Sequence, residues 1–272
     1  NNVPLYYPLA QNQNCNLKCK FCYIDFHYQK IEDKTNEIVA KAIEYGFDII
    51  TFGGGDSFSK KTFRNACKLA KENNIVTHVD TNAKAIKDSD IEYINQYVDL
   101  LGISLDAIGE DYDKFRESKN LFKKVDLIIR KLEEKINIPI KINTVVTKLN
   151  SHNISEIGDY IMKFKNIKRW SLYQFFPLSV ARKEKDKYEI SDYDFDLLTQ
   201  HLNINKTNLN VEFFKFKDRV DGYLFCDEQG FIYTNSINGN YEKLYSIFDK
   251  DFKNRTDNIK KKINPKTIHR YK

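Results

Sequence analysis

Three of the chain's five cysteines, Cys15, Cys19 and Cys22, fall inside one eight-residue stretch as C-x3-C-x2-C; the other two, Cys67 and Cys226, stand far apart. An odd number with three crowded together makes a poor disulfide framework and points to metal or redox chemistry. Three thiolates can ligate three irons of a cubane cluster, cysteine sulfur being the usual iron–sulfur ligand. The fourth iron then lacks a protein ligand, and an open metal position is what inner-sphere chemistry requires. The competing arrangement is a zinc knuckle, which needs a fourth Cys or His. His27, five residues after Cys22, is the candidate for that place. Cys67, amid apolar residues of a helical pattern, and Cys226, in a strand pattern, read as buried, inert thiols.

Such a loop needs a scaffold, and strand and helix signals alternate along the first two-thirds of the chain. Strands are expected at 3–10, 48–52, 75–81, 100–105, 140–146 and 170–176, with helices at 35–44, 60–72, 89–96, 120–135 and 154–164. The apolar runs are short, β-branched or aromatic and bounded by turn residues, as in parallel strands covered on both faces. Right-handed crossovers would curl six such units into an α/β fold, a partial (β/α)6 TIM-type barrel over residues 1–178. Residues 179–272 form a C-terminal extension expected to close the barrel's open side. It holds a charged stretch, a helix near 192–203, a strand at 211–216, a hairpin turning near Gln229 and Gly230, and a basic tail. Active sites of such barrels gather at the C-terminal ends of the strands. The cysteines, the glycines Gly53, Gly54 and Gly55, Asn82 and Ser104 all fall at such ends.

With the aromatic Phe21 inside it, NCNLKCKFCY resembles the signature of the radical S-adenosylmethionine (SAM) superfamily, and the resemblance extends over roughly the first 178 residues. It implies an enzyme in which Cys15, Cys19 and Cys22 hold a [4Fe–4S] cluster, while the amino and carboxylate groups of SAM chelate the open iron. Reductive cleavage of SAM would then yield a 5′-deoxyadenosyl radical that abstracts a substrate hydrogen, fed by an electron donor such as flavodoxin or ferredoxin. GGGDS is similar to the superfamily's GGE element, which implies that Gly54, Gly55 and Asp56 hold the SAM ammonium group. By the same resemblance Asn82 and Ser104 contact the methionine part or ribose, Arg116 pairs with the SAM carboxylate, and Phe21 and the backbone of Tyr23 flank the adenine.

The later strands, KINTVVTKLN and RWSLYQF, with the YLFCDEQGF hairpin, look similar to the viperin group, nucleotide dehydratases acting on CTP or a related triphosphate. Lys141, Asn143 and Arg169 match that group's substrate positions; Ile49, Ser171 and Gln229 depart from them. Other substrates that stay open are a small ribosomal peptide, as for a maturase, and a sugar or nucleoside. A non-enzymatic iron–sulfur or zinc binding module needs only the three cysteines.

Composition agrees with a packed enzyme domain: 41% of the 272 residues are hydrophobic and 14% aromatic, enough for a sizeable core and an aromatic-lined pocket. The formal charge of +6 is interspersed. The basic run 250–272 reads as a solvated helix face or tail rather than a nucleic-acid site. No stretch has the length of a transmembrane helix, so a soluble, cytoplasmic protein without membrane partners is expected. The chain begins at Asn1 rather than Met, which leaves room for a native start upstream.

Overall fold

The computed structural model describes residues 5–8, 15–24, 32–202, 204, 208–220, 222–235 and 240–261. Strands and helices alternate as β1 (Leu5–Pro8), α1 (Thr35–Glu44), β2 (Ile49–Gly53), α2 (Phe63–Glu72), β3 (Val76–Thr81), α3 (Asp90–Tyr97), β4 (Leu100–Ser104), α4 (Gly109–Phe115), α5 (Leu121–Lys135), β5 (Ile140–Val146), α6 (Ile154–Ile161) and β6 (Ile167–Gln174). There follow α7 (Lys185–Tyr188), α8 (Asp192–His201), β7 (Asn210–Phe214), β8 (Leu224–Cys226), β9 (Phe231–Asn235), β10 (Tyr241–Ser246) and α9 (Phe252–Lys260). Strands β1 to β6 lie side by side in chain order, each parallel to the next. This is the six-strand α/β core expected from the alternation, open rather than a closed barrel.

The helices form because their apolar residues recur on one face. In α5 the buried side chains are Leu121, Val125, Ile128, Ile129 and Leu132, spaced as one helical stripe. Each such burial contributes about 1.5–3 kcal/mol before the entropy of ordering is counted. The strands alternate, one face against these helices and the other toward the barrel interior. In β6, Trp170 and Leu172 are fully buried on the helix side, and the Trp170 indole N–H donates to Thr144 Oγ1 at 2.9 Å. Arg169, Ser171 and Tyr173 take the opposite face.

Residues after 178 lengthen the same sheet at both edges. Strand β7 pairs parallel with β6, and β8 pairs parallel with β1. The expected hairpin is present: β8 and β9 are antiparallel, joined by a turn in which Gly230 takes φ +85° and its N–H donates to the Asp227 carbonyl at 2.9 Å. The outermost strands are β7 and β10.

Two features were missed in the sequence. The short, strongly polar α4 offers no apolar stripe to read, yet it buries Tyr112 and leads directly to Arg116. No sequence signal marks strand β10, and helix α9 falls within the basic run 250–272 that reads as a solvated helix face or tail; α9 packs Phe252 against Tyr45 at 4.7 Å between ring centroids. Residues 262–272, the rest of that tail, lie outside the described residues. Among the described residues no helix is long and apolar enough to cross a membrane.

Candidate active site

The cysteine loop follows β1 and turns at the mouth of the barrel. The Cys22 N–H donates to the Cys19 carbonyl at 3.2 Å, and the Leu17 N–H points at Cys15 Sγ at 3.4 Å. Leu17, Phe21 and Ile24 are buried beneath the loop and anchor it. All three cysteines line one cavity of about 500 Å³, shared with the C-terminal ends of the strands. Burial pushes their thiols up, Cys15 to about 11 and Cys22 to about 12, while for Cys19 burial is partly opposed by the Arg116 charge. A thiolate here therefore needs a cation beside it, so that metal binding and proton release go together.

The donor set suits a cubane: three cysteine sulfurs share one cavity and lie close enough to feel one another's charge, and cysteine thiolate is the usual iron–sulfur ligand. His27, the alternative fourth ligand, lies outside the described residues. Cys15, Cys19 and Cys22 would hold such a cluster, which would supply the electron for reductive cleavage of SAM.

Gly54 and Gly55, directly after β2, adopt φ +75° and +65° and line the cavity. Side chains there would be strained, and their absence lets backbone approach a ligand. Asp56, to which the resemblance gives the SAM ammonium, follows these glycines. It is fully buried, does not line the cavity, and spends its carboxylate on the protein itself. Oδ1 accepts from the Thr81 hydroxyl and from the Asn82 N–H at 3.2 Å, and Oδ2 accepts from Asn16 Nδ2 at 3.2 Å. Burial raises its pKa against these hydrogen bonds. Asp56 thus ties the cysteine loop to the end of β3.

Asn82 continues the tie. Its amide nitrogen donates to Asn16 Oδ1 at 2.7 Å and approaches Cys15 Sγ at 3.9 Å, while its oxygen accepts from the Lys84 N–H. Ser104 also lines the cavity, and its carbonyl accepts from the Tyr112 hydroxyl at 2.7 Å. Arg116 reaches the cavity from the end of α4, with Nε donating to the fully buried Asp106 carboxylate at 2.6 Å and Nη1 lying 3.9 Å from Cys19 Sγ. Asp106 is itself fixed by the Val145 N–H at 2.8 Å. The Arg116 guanidinium stacks 5.4 Å from the Phe21 ring, a cation–π contact that orients both. The Tyr23 carbonyl accepts from the Tyr241 hydroxyl at 2.6 Å, which ties the loop to β10.

Below the cysteines the interior face is polar: Thr51 on β2, His78 and Asp80 on β3, Ser104 on β4, Lys141 and Asn143 on β5 and Tyr173 on β6 all line the cavity. Lys141 is only 8% exposed, and Asn143 donates to Asp80 Oδ1 at 2.8 Å. Arg169 does not join them: it sits opposite Lys141 in the β5–β6 register, outside the cavity lining, 3.8 Å from Glu212. Burial, reinforced by the Lys141 and Arg169 charges, holds His78 down to about 3, so its imidazole is neutral at physiological pH.

His78, Asp80, Tyr173 and Arg219 were not singled out from sequence. The signal was available for β3, where His78 and Asp80 alternate with apolar Val79 on the face that the two-residue period assigns to the interior. Gly102, between Asp80 and Asn143 in the sheet, is also explained by this layer. A Cβ there would overlap the Asp80 carboxylate and lie 2.7 Å from the Asn143 amide nitrogen. Gly102→Ala should therefore displace the Asp80–Asn143 bridge and lower substrate-dependent kcat/KM by about tenfold or more, on the order of one lost charge-assisted hydrogen bond. SAM cleavage without substrate should stay within about twofold in the same variant. Steady-state kinetics of the variant check both.

The chain is similar to known proteins in sequence and in fold. Residues 12–161, more than half of the chain, match the model of the Radical SAM superfamily. An S-adenosylmethionine-dependent nucleotide dehydratase of Lacinutrix mariniflava is 29% identical, over 85% of this chain and 51% of its own length. A protein of the same description from Flammeovirga pacifica is 28% identical, over 95% of this chain and 93% of its own. In fold the chain is similar to SuiB of Streptococcus suis. The SuiB structure bound to S-adenosylmethionine has TM-score 0.72 at 20% identity, covering 92% of this chain and 64% of that one. The chain thus spans about half of the Lacinutrix protein and just under two-thirds of SuiB. It belongs to the radical SAM superfamily, and is an enzyme that works with a [4Fe–4S] cluster and S-adenosylmethionine.

Proposed function

We propose that the chain uses its 5′-deoxyadenosyl radical to abstract a hydrogen from a nucleotide, in a dehydration of a nucleoside triphosphate of the kind the viperin group performs. The observation that carries this reading is the pairing of a cationic Lys141 with the bridged Asn143 in the cavity that the three cysteines line. A cavity of about 500 Å³ is within the range of small-molecule sites. Lys141 lies 5.7 Å from the Tyr173 ring centroid, so the wall offers both a charge for an anion and an aromatic face for a base or sugar. The names of the Lacinutrix and Flammeovirga relatives point the same way.

In this reading Cys15, Cys19 and Cys22 hold the cluster, Gly54 and Gly55 present backbone to the SAM methionine part, and Asn82 and Ser104 line its side of the cavity. The neutral His78 and the surrounding walls keep water away from the radical, which would otherwise abstract indiscriminately. Electrons come from an external donor of the flavodoxin or ferredoxin kind.

The test is anaerobic turnover with SAM and reductant in the presence of CTP, UTP or GTP. At least one triphosphate is expected to raise the yield of 5′-deoxyadenosine severalfold above the substrate-free rate and to give a product lighter by one water. If none of the three changes the yield, the nucleotide reading is wrong.

A further inference from the structure

An electron bound for the cysteines has to enter through the protein surface, and tunnelling falls steeply with distance. Along the strands that entry is long, because the barrel wall carries helices on its outer face. The cysteine loop is the short way in. It forms part of the cavity wall, Cys19 is itself partly exposed, and both of its chain neighbours, Lys18 and Lys20, are exposed.

The charge around this loop has one predominant sign. Lys84 is exposed, and its Nζ donates to the Asn16 carbonyl and to Ser118 Oγ, both at 3.2 Å. That side chain joins the loop to the segment after α4, where Glu117 and Lys119 are exposed. Arg116, in the same segment, stands 3.9 Å from Cys19 Sγ and is matched by Asp106. Four exposed lysines, Lys18, Lys20, Lys84 and Lys119, thus surround the loop, and the exposed carboxylate among them is Glu117. The acids of α4 are engaged within their own helix and its flank. Glu110 and Asp111 lie 4.0 and 3.1 Å from Lys114, and Asp113 accepts the N–H groups of Asn120 and Phe122. A surface with this excess attracts an acidic partner over a Debye length, whether or not its lysines also make local contacts.

We propose that this lysine face, Lys18 and Lys20 on the cysteine loop with Lys84 and Lys119 beside it, is the docking surface for an acidic flavodoxin. The carrier would lose one electron there and the cluster held by the cysteines would gain it, with no bond made or broken and no proton moved at that step. The proposal rests on the reading that electrons come from an external carrier, and owes nothing to the identity of the substrate. RNA would also be drawn to these charges, but sites for single strands interleave aromatic faces with their cations. The aromatic residue of this loop, Phe21, is buried against Phe115 and Tyr188 instead, with ring centroids 4.5 and 5.8 Å away.

Two measurements on the reconstituted enzyme test this, comparing Lys18→Glu/Lys20→Glu with the wild type. The first is calorimetric titration with an oxidised acidic flavodoxin at low salt. Binding is expected in the wild type, weakened severalfold when salt is raised from about 0.05 to 0.2 M, and weakened about tenfold or more by the double reversal. The second is formation of 5′-deoxyadenosine from SAM, driven either by reduced flavodoxin or by reduced methyl viologen, a small cation that needs no docking face. The flavodoxin-driven rate at subsaturating carrier should fall about tenfold in the variant, and the viologen-driven rate should stay within about twofold. Should the variant not assemble its cluster, Lys119→Glu, which lies off the loop, decides, with a severalfold loss of flavodoxin affinity expected. Flavodoxin that does not bind the wild type, or that binds wild type and variants equally, overturns the proposal. So does an equal fall of both rates, or a single-stranded RNA that binds this face more tightly than flavodoxin does. Wild-type enzyme in which methyl viologen drives no SAM cleavage contradicts the radical chemistry instead, and the calorimetric titration still decides the docking face.

Discussion

Replacing Cys19 by alanine is expected to leave a folded protein with no iron–sulfur absorbance and no 5′-deoxyadenosine formation above background. The side chain is half-buried at the cavity rim, and the loop's hold on the core runs through Leu17, Phe21 and Ile24 instead. Its loss therefore removes a ligand without opening the core. A cubane reduced to two protein thiolates has lost a first bond to the protein, so the drop should exceed the roughly 10- to 100-fold cost of altering a group that merely supports a metal ligand. Iron and sulfide content, visible absorbance and far-ultraviolet circular dichroism on one preparation measure all three parts. The internal control is Cys67→Ala. That thiol is buried in α2, with its pKa pushed up to about 12 by burial, and its removal should leave the cluster and turnover intact. Brown, active Cys19→Ala protein would refute the ligand assignment.

The second large effect concerns Asp56. Truncation to alanine removes the acceptor of the Thr81 hydroxyl, the Asn82 N–H and the Asn16 amide together. Each buried donor left without a partner costs about 1–3 kcal/mol. Relief from burying the carboxylate offsets part of this, because burial already disfavours its charge. The three lost bonds outweigh that relief, and a net destabilisation of about 2–5 kcal/mol corresponds to a fall in Tm of roughly 5–15 °C for a chain of this size. Because Asn16 and Asn82 both lie against Cys15, the variant should also lose its cluster faster on exposure to a chelator. Asp56→Asn keeps an acceptor toward Thr81 and Asn82 and gives up the one toward Asn16, so it should fall between. A direct hold on the SAM ammonium makes the opposite forecast: SAM affinity would drop in Asp56→Ala with Tm unchanged. Thermal melts and SAM titration of both variants separate the two.

The parts of this protein that were legible in its sequence are those in which local chemistry and local periodicity agree. The cysteine spacing names its own chemistry, and helix α1 and strand β5 fall within the residues that hydrophobic patterning assigns them, because each buries one face against a neighbour already expected. Lys141 and Asn143 line the cavity for the same reason: their alternation with Ile140 and Ile142 puts them on the interior face. Arg169 obeys the same alternation, but its neighbour Glu212 comes some forty residues later, too far along the chain for a local pattern to signal. Asp56 illustrates a second limit. An acid after a glycine run can face a ligand or turn back into the fold, and only the tertiary positions of Thr81 and Asn16 decide. Arg219 and α4 mark a third, since a charged residue in a short polar segment looks solvated until distant strands enclose it.

The most direct measurement of the central claim is the fate of SAM on the anaerobically reconstituted wild-type chain. With four irons and four sulfides per chain and a strong reductant, methionine and 5′-deoxyadenosine should form in equal amounts, and neither should form when reductant is omitted. Stoichiometric zinc in the protein as isolated, held by the three cysteines and His27, together with SAM left intact under reduction, would contradict it.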